Sequence, residues 1–442
     1  MSAIAARGRP LFVTREGLMR AVLAVMIAVG CIAMIEPSPY EYLFFLFVPL
    51  AAFTGLTLTR TTLALLYILV GLAVPLMIAL VPYFGEHVRR EVLSPVTYTG
   101  TTLYLYFSCL LFALLFSRQT LGRLRVALLA YCLSSVVAGL VGALTLFNVA
   151  GLAQLEAIPG RVAGTFKDPN VLGSYCLMGA LYLMHSLVTR RGHGLFKLAC
   201  LAIVLLGGIF APFSRGTWGA FVFATLYLGV SLAATEKTRA VRLRLAFAAS
   251  GLAVLLFIGA LIVALNPDLS AMFVDRISLA HDYDVGETGR FGNQLRSIPM
   301  LIARPLGFGP YRFPLYFGLQ PHNSYIGAFA DAGWASGLMF FILAAWTSWL
   351  ATRQAFTRSA LTPYAQVVAP AVVSFFLQGF QIDIDHWRWV YLMVGAVWGM
   401  ESALRAGPGP LDAVSPSRRS RLDIERTGAP AALPSGLKTQ GS

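Results

Sequence analysis

Apolar stretches of about twenty residues follow one another along most of this 442-residue chain. A helix needs roughly 20 apolar residues to cross about 30 Å of hydrocarbon. Because 57% of the residues are hydrophobic and only 12% are charged, polar side chains are too few to cover a water-exposed surface. The sequence therefore predicts an all-α, polytopic transmembrane bundle of about twelve spans. We place them at residues 17–35, 42–59, 62–82, 98–116, 126–149, 171–188, 197–213, 217–234, 245–265, 323–350, 364–381 and 387–404.

Basic residues are concentrated in every second loop between these stretches, for example at Arg118, Arg190 and Arg353. By the positive-inside rule those loops are cytoplasmic, which puts both termini in the cytoplasm. We expect a cytoplasmic N-terminus over 1–16, a transmembrane bundle over 17–404 and a disordered cytoplasmic tail over 405–442. The surplus of 14 positive charges lies in short loops without a nucleic-acid-binding motif, so it does not indicate a nucleic-acid partner.

Cysteine and acidic patterns give little sign of a metal site. The five cysteines lie inside apolar stretches and form no CxxC pair, so neither disulfides nor a zinc site are expected. Asp282 and Asp284, and likewise Asp383 and Asp385, have DxD spacing, which is a weak metal signal that we interpret as solvated loop carboxylates. Trp387-Arg388-Trp389 is typical of an aromatic anchor at the membrane interface.

The expected outer face carries several basic residues, although the positive-inside rule predicts few basic residues there. Arg215 lies in the turn Ser214-Arg215-Gly216 between two spans. A charge at membrane depth is costly, so it usually has a partner or a function. Arg215 is either an arginine that reaches the outer headgroups or an anion-binding residue at the rim of a cavity. Gly216 favours the second interpretation, because glycine permits close approach of a ligand to the backbone.

The largest outer segment runs from Asn266 to Pro321 and is long enough to form a small folded lid. Within it, Arg290 is either a solvated loop charge or a binding residue. His322 follows the lid and is either a hydrogen-bonded structural residue or a proton-transfer group, since imidazole titrates near neutral pH. Asp331 lies inside the following span, where a carboxylate needs a polar or basic partner.

Several short segments in this order resemble those of the O-antigen ligase family and the related O-antigen and exopolysaccharide polymerases. The resemblance covers about residues 164–350. Its motifs are Phe166-Lys167-Asp168-Pro169-Asn170, Ser214-Arg215-Gly216, Gly289-Arg290, Arg304-Pro305-Leu306-Gly307-Phe308-Gly309, His322-Asn323-Ser324-Tyr325 and Asp331-Ala332-Gly333-Trp334.

This resemblance implies an inner-membrane glycosyltransferase that acts on the periplasmic side without a metal or a cofactor. It implies a glycan donor on undecaprenyl diphosphate, and as acceptor either lipid A-core, for a ligase, or another glycan, for a polymerase. The family's functional positions match Arg215, Arg290 and His322. We further assign substrate binding to four residues of the same face: Arg161, Lys167, Arg312 and Asn323.

The chemistry of such a reaction agrees with these residue types. Arginine binds phosphate oxygens bidentately and stays protonated, so Arg215 and Arg290 suit a departing lipid diphosphate. His322 is the best candidate to activate the acceptor hydroxyl, in a direct displacement with inversion.

Three other functions remain open from the sequence. A metal-dependent glycosyltransferase would need a longer first outer loop than the one between Glu36 and Glu41. A transporter or lipid flippase would need more charges midway through its spans, where Asp331 is nearly alone, and matching repeats. A scaffold for a polysaccharide assembly complex would need none of these features.

Overall fold

The computed structural model describes residues 14–85, 94–158, 161–190, 192–236, 238–265, 267, 270 and 286–407. Several sequence predictions fall on other residues and lie outside the described part. These are the N-terminal segment up to residue 13, part of the expected lid (266, 268, 269 and 271–285, with Asp282 and Asp284) and the tail from residue 408.

The described chain is built almost entirely from helices. We number the α-helices α1 to α14 in chain order: Arg15–Ala28, Pro39–Phe53, Arg60–Leu80, Pro95–Phe116, Thr120–Leu146, Pro169–Thr189, Gly194–Ile203, Arg215–Thr235, Arg239–Leu265, Arg290–Ile302, Phe313–Phe317, Ser324–Phe356, Thr362–Gln378 and Arg388–Ala406. Three 3-10 turns, Val29–Cys31, Val81–Tyr83 and Val149–Leu155, extend or connect them, and α7 continues as a π-helix over Val204–Phe210. A short antiparallel pair, β1 (Glu156–Ile158) and β2 (Arg161–Val162), precedes α6.

The prediction of an all-α membrane bundle is confirmed. Among the described residues, six helices are long and apolar enough to cross a membrane: α3 with its 3-10 extension, α4, α5, α6, α8 and α12. Each of the twelve predicted spans coincides with one helix or with a helix and its extension. Parts of the expected lid also fold, as α10 and α11.

Local chemistry fixes where several helices begin. Ser38 and Glu41 form a capping box at the start of α2, and Asp168 accepts the backbone N–H of Asn170 at 2.6 Å at the start of α6. In the interior, Gly142 of α5 allows close contact with the π-helix, since a Cβ there would lie 2.2 Å from the carbonyl oxygen of Gly207.

Buried ion pairs hold the end of the bundle where α1 begins and α14 ends. Glu401 is fully buried and accepts hydrogen bonds from Arg405 at 2.6 Å and from Arg353. Glu16 binds Arg123 at 2.7 Å, with a guanidinium that is itself buried. Because a buried carboxylate is costly without a partner, these pairs fix the packing of the helices that carry them.

A sharp break divides α12 at Gly333, which has φ 74° and ψ −164°. This backbone conformation is essentially restricted to glycine. The break frees the carbonyl of Ala330, which accepts the amide N–H of Phe308 at 2.6 Å, and the amide of Trp334 donates to Pro305 O at 2.9 Å. The loop between α10 and α11 thus lies inside the broken helix, where only a glycine at position 333 leaves room for it.

We expect Gly333→Ala to destabilise the protein by about 2 kcal/mol or more, because of the backbone strain and because the added Cβ would lie 2.0 Å from Pro305 O. Thermal unfolding of the purified protein in detergent measures the loss. Gly327→Ala is the matched control on the same helix, since its Cβ would meet nothing nearer than Pro321 Cγ at 3.6 Å. That change should be neutral or stabilise by about 0.5–1 kcal/mol. Equal melting temperatures for both variants would contradict this account of the break.

Candidate functional site

The start of α12 is hydrogen-bonded to the connection between α13 and α14, which spans residues 379–387. The backbone N–H of Ser324 donates to Gly379 O at 2.8 Å, and its hydroxyl donates to Asp385 Oδ1 at 3.0 Å while accepting the N–H of Ile384 at 2.7 Å. The side chain of Asn323 donates to Phe380 O at 3.1 Å. These bonds make the α13–α14 connection a fixed platform beside the first turn of α12.

His322 lies at the edge of this platform. Its Nδ1 is 3.5 Å from Asp383 Oδ2, and the other oxygen of Asp383 accepts the backbone N–H of Asn323 at 2.9 Å. The φ angle of His322 is 46°, in the left-handed region that a non-glycine residue rarely adopts. Backbone strain of this kind is concentrated at functional sites, and here it places an imidazole against a carboxylate.

Arg290 and Gly216, the neighbour of Arg215, both lie against the same platform residue, Gln381. Arg290 is the first residue of α10, and its Nη1 donates to Gln381 O at 3.1 Å. Arg215 is the first residue of α8, and a Cβ on its neighbour Gly216 would lie 2.9 Å from Gln381 Nε2. In addition, Gln378 Nε2 donates to Gly216 O at 3.0 Å. Two helix N-termini that each begin with arginine therefore meet the platform that also positions His322.

Arg161 lies close to this cluster, because its Nε donates to Pro212 O at 3.1 Å, three residues before Arg215. Its Nη2 also donates to Asn170 Oδ1 at 3.1 Å. Lys167 is placed differently: its Nζ lies 2.8 Å from Glu36 Oε1, and both side chains are more than half exposed. The structure thus brings Arg161 towards the platform and Lys167 towards the connection between α1 and α2.

The two remaining predicted residues have clear structural roles. Asn323 caps α12, since its side chain accepts the N–H groups of Tyr325 and Ile326, each at 3.1 Å. Arg312 packs its guanidinium over the ring of Tyr83, 4.0 Å from the ring centre. Both belong to the end of the bundle that carries the platform.

A second group of polar side chains lies beneath the platform, around Tyr98 of α4. The hydroxyl of Tyr98 donates to Asp331 Oδ2 at 2.6 Å and lies 3.3 Å from Asp385 Oδ2. The other oxygen of Asp331 accepts the backbone N–H of Tyr311 at 2.9 Å. Asp331 therefore has the polar partners that its position in a span requires, and it ties the break in α12 to the platform.

His386 completes this group. Its Nδ1 is 2.8 Å from Asp385 Oδ2 and its Nε2 is 3.2 Å from the hydroxyl of Thr102. When the hydroxyl of Thr102 donates to Tyr98 O at 2.9 Å, its oxygen accepts from Nε2, and both ring nitrogens of His386 are then donors, as in the cation.

The electrostatics of the platform agree with this assignment. Burial lowers the pKa of His386, but the Asp385 carboxylate outweighs that effect and holds this pKa above its usual range. Burial raises the pKa of Asp385, yet the charge and hydrogen bond of His386 bring it below its usual range. Burial and the nearby Asp385 raise the pKa of Asp383. The platform thus pairs an ionised Asp385 with a carboxyl, Asp383, that can hold a proton near neutrality.

Two sequence interpretations are corrected here. Asp383 and Asp385 are not solvated loop carboxylates, because they are half-buried and hydrogen-bonded to the start of α12. Trp387 and Trp389 are buried in the core instead of anchoring at an interface, and Arg388 pairs with Glu41 at 2.6 Å.

Two residues of this polar group, His386 and Tyr98, were not predicted from the sequence. His386 directly follows the second carboxylate of the DxD pair, and that proximity was the available signal. No signal in the sequence marked Tyr98. A tyrosine near the end of an apolar stretch has the same sequence context whether or not its hydroxyl binds a carboxylate. In the part of the chain that the structure describes, no group of three or more His, Cys, Asp or Glu side chains has an arrangement suited to a metal ion.

Comparison with models of known protein families and with curated proteins gives no match for this chain. A helical membrane bundle does not define a function, since one architecture can carry many chemistries. Function is therefore inferred from the side chains of the platform and from their neighbours.

The two raised pKa values make the stability of the protein depend on pH. His386 and Asp383 bind protons more tightly in the folded state than in the unfolded state. The free energy of unfolding therefore falls as the pH rises towards their raised pKa values. We expect the melting temperature of the protein in detergent to fall between about pH 4 and pH 8, from the ordinary pKa of an aspartate to the raised pKa of about 8 of Asp383. Asp383→Asn should show a smaller fall, since only His386 then contributes. A wild-type melting temperature that stays constant or rises across this range would be the contrary result.

Proposed function

We propose that this protein is a glycosyltransferase of the inner membrane that moves a glycan from undecaprenyl diphosphate to an acceptor hydroxyl, in the manner of an O-antigen ligase. The observation that carries the proposal is the convergence of three groups on one platform. Arg290 binds Gln381, Arg215 begins a helix packed against Gln381, and His322 contacts Asp383. Anion-binding groups and a proton acceptor in one place are what this transfer needs.

The arginines supply the site for the leaving diphosphate. Cleavage of the sugar–phosphate bond leaves negative charge on the phosphate oxygens, and guanidinium groups bind such oxygens bidentately. Arg215 and Arg290 are each the first residue of a helix, where the helix dipole adds positive potential. Gly289 caps α10 without a side-chain hydrogen bond. Arg161, behind Pro212, adds a further positive charge.

His322 and Asp383 supply the acceptor side of the reaction. The hydroxyl of the acceptor loses its proton to the imidazole as it attacks the anomeric carbon, and the lipid diphosphate leaves from the opposite face. Asp383 lies 3.5 Å from Nδ1 of the ring, and in its ionised form it stabilises the imidazolium that forms as Nε2 takes the proton. Inversion at the anomeric carbon follows from this single displacement.

The chemistry of the donor agrees with a site outside the cytoplasm. Nucleotide sugars are absent there, so a donor must carry its own activation, which a lipid diphosphate does. In this proposal the platform faces the periplasm, both termini are cytoplasmic, and the twelve helices that match the predicted spans cross the membrane. Lipid A-core is the proposed acceptor, and a glycan acceptor, as in an O-antigen or exopolysaccharide polymerase, is the alternative with the same donor chemistry.

Alanine at Arg215, Arg290 or His322 should reduce transfer from a purified lipid-linked donor by about 10²–10³-fold, because each change removes charge stabilisation or proton transfer in the transition state. Arg215→Lys should restore only part of the rate, since an ammonium lacks the bidentate geometry of arginine. The readout is glycan transfer by protein in detergent or nanodiscs, with and without EDTA.

Arg190→Ala is the matched control, because Arg190 lies at the far end of α6 and donates to Tyr182. It should retain the wild-type rate. Wild-type rates in all three alanine variants, with unchanged melting temperatures, would remove these residues from the chemistry. Surface glycolipid of a deletion strain separates the acceptors: loss of all capped core indicates a ligase, and a single repeat unit on the core indicates a polymerase.

Asp383→Asn should lower kcat by about 10²-fold with little change in KM, because the imidazolium loses the charge of the ionised Asp383 while the backbone N–H of Asn323 keeps an acceptor. Steady-state kinetics across a range of donor concentrations separate the two constants. A change confined to KM would instead assign Asp383 to donor binding.

A further inference from the structure

An apolar crevice opens beside the platform. It has a volume of about 280 Å³ and lies between α10, the first turns of α12 and the end of α13. Its walls include Ile298 and Ile302 on one side and Ile326, Phe329 and Phe341 on the other. Nearly all of its lining is aliphatic or aromatic, so a ligand there would be a hydrocarbon.

The helix α10 forms the outer wall of this crevice in an unusual orientation. Its polar residues face the protein, where Asn293 donates to Phe317 O at 3.2 Å and Gln294 donates to Pro321 O at 2.8 Å. Most of its apolar residues are exposed, and Ile302, at the mouth of the crevice, is 63% exposed, whereas Leu301 is buried. A helix that turns an apolar face away from the protein is stable where that face meets lipid, so the crevice opens to the hydrocarbon of the membrane.

The inner end of the crevice reaches the reaction site. Asn323 lines it, and the backbone N–H of the same residue donates to Asp383, the partner of His322. Arg290 begins the helix whose later turns form the outer wall, and α10 is about 20 Å long. A chain that ends at Asn323 would therefore have its head group next to His322, with Arg290 about 12 Å along α10 from Ile298.

From this arrangement we propose that the crevice binds the first isoprene units of the polyprenyl chain of the donor. The proposal rests on the proposed function and adds the position of the lipid tail. In the donor, the chain is bonded directly to the reacting diphosphate, so its first units must lie next to the arginines. In lipid A-core, the acyl chains are separated from the acceptor hydroxyl by the whole core oligosaccharide. Only the donor chain can reach a crevice that ends beside His322.

The test uses the full-length protein in nanodiscs and a polyprenyl diphosphate that carries a diazirine in its first isoprene units and bears no glycan. We expect the photolabel on α10 and the first turns of α12. Ile298→Trp and, at the mouth of the crevice, Ile302→Trp should each reduce labelling by about 10-fold, since each fills space that the chain occupies. Unchanged melting temperatures show that both variants are folded.

Leu315→Trp is the matched control, because Leu315 lies on α11, is 58% exposed and does not line the crevice. It should leave the labelling unchanged. Label on other helices, equal labelling in all variants, or equal labelling of the crevice by a diazirine phosphatidic acid would overturn the proposal. Labelling needs no transfer, so a labelled crevice without glycan transfer from any donor would refute the proposed function alone. Transfer without label in the crevice would refute only the position of the chain.

Discussion

The site depends on the hydrogen bonds between the first turn of α12 and the α13–α14 connection. Ser324 contributes three of them, with its N–H and with a hydroxyl that both donates and accepts, and Asn323 adds two more. Since the residue before these two is His322, the same bonds set the position of the imidazole. Without these hydrogen bonds the connection that carries Gln381 and Asp383 would be less constrained. The starts of α8 and α10 and His322 would then no longer meet at one platform.

The platform also explains why acidic and basic groups occur together at one end of a membrane protein. Asp331, Asp383 and Asp385 lie on the side of His386 and Tyr98, and the arginines begin the helices on the other side. A carboxylate is stable at a half-buried position when hydrogen-bond donors of the protein bind it. An anionic substrate needs other donors, which the acidic residues do not occupy. In the proposed function the arginines bind the ligand, while the acidic residues hold the platform and α12 together.

Much of this could be predicted from the sequence, and the limits have physical causes. Apolar length alone located the helices that match the predicted spans. Arg215 and Arg290 stood out because basic residues on the expected outer face oppose the sorting of charge, and His322 because imidazole titrates near neutral pH. The prediction that Asp383 and Asp385 are solvated was wrong. The sequence shows two carboxylates two residues apart but does not show which hydrogen-bond donors they meet. Those donors come from residues that are distant in sequence, such as Ser324 and Tyr98.

The sequence by itself determined that this is a helical membrane protein with basic residues at the starts of α8 and α10, because hydrocarbon length and charge cost are local properties of the chain. The tertiary structure decided which of those residues share a site, which carboxylates are held by hydrogen bonds, and that a crevice runs from the site along α10. These depend on contacts such as Arg290 with Gln381, separated by 91 positions. Such contacts form only when the helices pack, and no local pattern specifies them.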